Sequence, residues 1–80
     1  LSNKLRGKTM RELTENQKGV LRFIIKYMKE NNYPPTLREI GDEFGYFPKG
    51  VFDYLWALRK KGFITWIEKK SRTIQVLKED

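Results

Sequence analysis

The sequence predicts a mainly helical α+β domain: three helices followed by a C-terminal two-stranded β-hairpin. Three observations carry this. Apolar residues recur at helical spacing through Leu58, and each helical stretch is bounded by capping or breaking residues. From Phe63 onward the composition changes to β-branched and aromatic residues in two short runs. The chain has 80 residues, enough for one domain with one thin core.

The first helix starts at Thr14. Thr14 and Gln17 have the spacing of a capping box, with Leu13 just ahead of it. Val20, Phe23, Ile24, Tyr27 and Met28 form one apolar face, and Lys18, Arg22, Lys26 and Lys29 fall elsewhere. Asn31-Asn32 weakens the helix and Pro34-Pro35 ends it. Thr36 and Glu39 make a second capping box, opening a short helix over residues 37–44 with Leu37, Ile40 and Phe44 as apolar positions. Gly45 stops it as a left-handed cap.

Pro48 suits the first turn of a third helix. Its inward stripe is Val51, Leu55 and Leu58, joined by Tyr54, and Gly62 ends it after Arg59-Lys60-Lys61. Residues 63–67 and 73–77 then read as two strands with a basic tip between them. The expected core is Val20, Ile24, Met28, Ile40, Phe44, Leu55, Leu58, Ile64 and Val76. Two helices joined by a tight glycine turn and followed by a hairpin describe a three-helix winged helix-turn-helix, the hairpin being the wing. It occupies residues 11–80. Residues 1–10 read as a flexible basic leader, either a tail or an arm that lies along a DNA groove.

The composition narrows the function. There is no cysteine and no histidine, which removes thiolate nucleophiles, imidazole bases and the usual zinc ligands. No glycine-rich phosphate loop is present, so neither an enzyme nor a cofactor site is expected, and no small-molecule substrate is evident. No apolar run is long enough to span a bilayer, and a cytoplasmic location is expected, nucleoid-associated if the source is bacterial. The net charge is +7, with +4 on residues 1–11, −1 on residues 12–45 and +4 on residues 46–80. Such a surface attracts phosphate by releasing counterions. Charge alone leaves a merely solvated basic surface equally open.

Several stretches add a more specific signal. They are Leu13-Thr14-x-x-Gln17, Tyr33-Pro34-Pro35-Thr36-Leu37-Arg38-Glu39-Ile40, Gly45-Tyr46, Leu55 through Ile64, and Ser71-Arg72-Thr73-Ile74. In this order, over Leu13 to Leu77, they resemble the N-terminal DNA-binding domain of LexA-type repressors. The resemblance implies sequence-specific binding of double-stranded DNA and transcriptional repression. The chain departs from that pattern in two places: the turn into the third helix is one residue shorter, and Phe47 through Asp53 lacks the usual Ser/Asn-rich surface. These 80 residues also hold no counterpart of the family's self-cleaving Ser–Lys domain, which supplies most dimerisation.

In a helix-turn-helix the second helix leads into the major groove with its N-terminal residues. Here those are Lys49, Gly50, Phe52 and Asp53. Lys49 suits guanine O6 or N7, Asp53 suits cytosine N4, and Phe52 suits a thymine methyl. Structural roles compete: Gly50 permits close backbone approach and Asp53 complements the helix dipole. The resemblance puts Thr36 and Arg38 against a phosphate and Lys60 and Lys61 near the backbone. The tip residues Lys69, Lys70, Ser71 and Arg72 are expected on phosphate or in the minor groove. A weak homodimer on a palindromic site is one expected assembly. Phe52 and Trp56 stand at i and i+4 away from the inward stripe; either Tyr46, Phe47 or the leader covers them, or they support a second reading, a winged-helix module that binds protein through these aromatics.

Overall fold

Both threonine caps form as the spacing requires. In a computed structural model, which describes residues 13–45 and 48–79 and leaves aside the side chains of Pro48 and Lys49, the first two helices open with complete capping boxes. Helix α1 spans Glu15–Asn31, α2 Leu37–Phe44 and α3 Pro48–Lys60. Thr14 Oγ1 accepts from the Gln17 N–H, and Gln17 Oε1 accepts from the Thr14 N–H. Thr36 and Glu39 repeat the exchange. Asn32, in the left-handed region at φ 65°, ends α1 before the prolines are reached. Gly45 ends α2 at φ 71°.

Helix α3 closes in a Schellman turn. Phe63 donates to the Leu58 carbonyl at 2.9 Å, and Gly62, at φ 85°, donates to that of Arg59 at 3.0 Å. This geometry needs a residue without Cβ strain, and it carries Phe63 back onto the core. The wing follows as two antiparallel strands, β1 Ile64–Thr65 and β2 Gln75–Val76, with Ile64 opposite Val76.

The strands are shorter than the runs 63–67 and 73–77 predict. The reason is local hydrogen bonding. The Thr73 hydroxyl accepts from the Ile67 N–H and donates toward the Ile67 and Lys70 carbonyls, closing the loop by a side chain where a ladder would continue. Lys69 and Arg72 both take positive φ, which bends the tip out of strand geometry.

The core joins the three helices to β1. Val20, Leu21, Ile24, Ile40, Val51, Leu58 and Ile64 are wholly buried, with Leu55 nearly so. Met28, Phe44 and Val76, expected in the core, are only half-buried at its edge, and Ile74 is buried instead of Val76. Leu21 lies in the core because α1 packs on both α2 and α3, which widens its buried face beyond one stripe. Phe23 and Tyr27 fall on the flank, where Phe23 meets Phe44 edge to face at 5.7 Å. Leu37 is exposed, since it stands in the first turn of α2 outside the packed face. No helix among the described residues is long and apolar enough to cross a membrane. The leader, residues 1–10, lies outside the described residues.

Candidate nucleic-acid interface

The inward stripe of α3 decides what the helix shows outside. With Val51, Leu55 and Leu58 buried, the helix presents Phe52, Asp53, Trp56 and Lys60 to solvent. Gly50 is half-buried in the first turn, and the Lys49 side chain lies outside the described ones. Beside this face, the start of α2, the middle of α3 and the wing enclose a surface groove of about 360 Å³. Leu37, Phe52, Trp66 and Ile67 give it apolar walls, and Arg38, Lys69 and Lys70 bring basic side chains to its lining. The first turn of α2 has backbone N–H groups without intrahelical acceptors at the same place, the arrangement that favours anions.

Two of the expected backbone contacts are engaged within the domain. Arg72 reaches back from the wing to α2 and forks onto Glu39, with Nη1 donating to Oε1 at 3.0 Å and Nη2 to Oε2 at 2.8 Å. The same Nη1 donates to the Pro34 carbonyl at 3.1 Å, and the guanidinium lies 4.7 Å over the Tyr33 ring. Glu39 is also the capping partner of Thr36, so one carboxylate holds both the start of α2 and the wing. The Arg72 hydrogen bonds, and then the backbone bond at Thr36, hold the Glu39 carboxyl down at about 2. Lys61 is half-buried, and its ammonium donates to Gln17 Oε1 at 2.8 Å, toward α1. Lys60, Lys69, Lys70 and Ser71 are exposed, Arg38 likewise, and Thr36 is half-buried as a cap.

The aromatic pair has a third member that the sequence did not single out. Phe52 and Trp56 remain 37% and 41% exposed. Trp66, from the wing, packs on both, at 6.2 Å from Phe52 and 5.3 Å from Trp56 between ring centroids. Arg59 lies over Trp66 at 4.4 Å and is held by Glu68 at 2.9 Å. Trp66 looked like one more strand residue; only the pairing of the wing brings it to α3. The expected cover of Phe52 and Trp56 by Tyr46, Phe47 or the leader concerns residues outside the described ones.

Comparison with known proteins agrees with this geometry. Residues 10–73 match the family model of the LexA DNA binding domain. The chain is 46% identical over 70 residues to a LexA repressor of Leptospira interrogans, which covers 88% of this chain and 34% of that protein. It is 48% identical over 69 residues to one of Leptospira biflexa, covering 86% of this chain and 34% of that protein. A LexA repressor of Thermosipho africanus is 45% identical over 69 residues, covering 86% of this chain and 35% of that protein. The chain thus spans about a third of the length of the curated relatives it matches. All three helices and β1 fall in the matched segment, and the chain belongs to the LexA DNA-binding domain family.

Proposed function

We propose that this chain is the DNA-reading part of a transcriptional repressor, binding duplex DNA by sequence. One observation carries the reading: α3 exposes its outer face beside a groove whose lining brings in basic residues from both α2 and the wing. In this reading α3 enters the major groove. Lys49, Gly50, Phe52 and Asp53 meet base edges. Thr36, Arg38, Lys60, Lys69, Lys70 and Ser71 meet the DNA backbone. Arg72 serves differently, by setting the angle of the wing through Glu39. Lys61 anchors the end of α3 on α1. Two copies on a palindrome would place half-sites about 34 Å apart or a multiple of that. A single module buries only roughly 600–1,000 Å² of protein surface, so one copy binds modestly. As a repressor domain it acts in the cytoplasm, at the nucleoid.

The test is fluorescence anisotropy on a labelled duplex of random sequence, with the wild type and the double variant Lys69→Glu/Lys70→Glu. The reading expects the double variant to weaken binding at least tenfold at low salt with unchanged thermal stability. Equal affinity of the two proteins would sink the assignment of the wing to DNA.

A further inference from the structure

Phe52, Trp56 and Trp66 form a single edge-to-face stack on the outer side of α3. The Phe52 and Trp56 rings meet at 5.7 Å and 85°, Phe52 and Trp66 at 6.2 Å and 57°, and Trp56 and Trp66 at 5.3 Å and 75°. Arg59 lies over both indoles, at 5.2 and 4.4 Å, and is itself fixed by Glu68. Phe52 is therefore an exposed ring on a side chain with little freedom left to lose on binding.

The surroundings select the partner. Arg38, Lys69 and Lys70 line the groove with Phe52 and Trp66, and Lys60 is exposed on α3. Of the two acids nearby, Glu68 is paired with Arg59, so the exposed Asp53 stands against four cations. A second copy of the chain would bring the same positive charge against this patch. A polyanion would not. In the major groove the thymine C5-methyl is the one apolar substituent that stands out from a base edge; cytosine has only a C5–H there, and the other features that distinguish the bases are donors and acceptors. A hydrocarbon ring held against a guanine or adenine edge would strip water from polar atoms and return no hydrogen bond.

We infer that Phe52 reads a thymine C5-methyl, with Trp56, Trp66 and Arg59 as the residues that hold its ring in place. This rests on the DNA-reading function proposed above and adds the chemistry of one contact. Deoxyuridine differs from thymidine in that methyl alone. Burying one such group is worth about a fourfold change in affinity.

The experiment takes a duplex enriched from a random pool by the 80-residue chain and replaces its thymines by uracil, one at a time. At one position per half-site, uracil should weaken binding about fourfold. In Phe52→Ala that thymine-to-uracil ratio should fall to one. Trp66→Ala should lower the ratio and Trp66→Phe should keep it, a pattern that general loss of stability would not give. An enriched duplex indifferent to every uracil would overturn the methyl contact alone, as would a ratio that survives Phe52→Ala. Loss of self-association in Phe52→Ala, by sedimentation, with the ratio unchanged would assign the stack to a second copy. A pool with no enriched duplex would overturn the DNA-reading function and the methyl contact together.

Discussion

At the scale of single residues, Glu39 and Arg72 carry the most consequence. Thirty-three positions separate them, yet Arg72 forks onto the carboxylate that caps α2. The Glu39 pKa lies below its ordinary value of 4.5, at about 2. A depressed carboxyl stabilises the fold in full above the unfolded pKa and loses that contribution as pH falls toward the folded one. Thermal melts of wild type and Glu39→Gln should therefore diverge at neutral pH and converge between about pH 5 and pH 2. Parallel curves across that range would contradict the linkage. The charge of Arg72 is already matched by Glu39. So Arg72→Ala should weaken DNA binding with little change in salt slope, whereas Lys69→Ala should reduce the slope by about 1. Of this pair the sequence showed only the cap. The partner 33 residues away was invisible because nothing local in Ser71-Arg72-Thr73 says where the guanidinium turns.

At the scale of elements, the helices were legible and the wing less so. Thr14, Thr36, Gly45 and Gly62 act through neighbours three to five residues away, which a linear reading contains. Thr36→Ala should cost about 1 kcal/mol in urea unfolding, as loss of an N-cap oxygen does elsewhere. Gly62→Ala should cost about 1–2 kcal/mol, because a Cβ is placed at φ 85°. An unchanged midpoint for Gly62→Ala would contradict the Schellman assignment. The wing obeys longer-range terms. Its strands are cut to two residues each by the Thr73 hydroxyl and by positive φ at Lys69 and Arg72. The core shows the same division. The stripe of α3 was correct, but α1 faces two helices, so Leu21 went inside while Met28 stayed at the edge. A single periodicity cannot say how many neighbours a helix has.

At the scale of the whole molecule, the +7 charge is carried by both ends of the chain around a near-neutral middle. Folding places part of the C-terminal share, on the end of α3 and the wing tip, beside the outward face of α3. If Arg38, Lys60, Lys69 and Lys70 each meet a phosphate, log K should fall against log salt with a slope of about −4. The domain's place in its family was readable from ordered short motifs. The proposed reading surface was legible only in part, since Trp66 and Arg59 join it through tertiary contacts. The most direct measurement is selection from a random duplex pool at two salt concentrations, followed by sequencing and anisotropy on the winners. The account predicts an enriched motif bound well above the random pool, with that steep salt slope. Binding that is weak, salt-sensitive and without any enriched motif would contradict it.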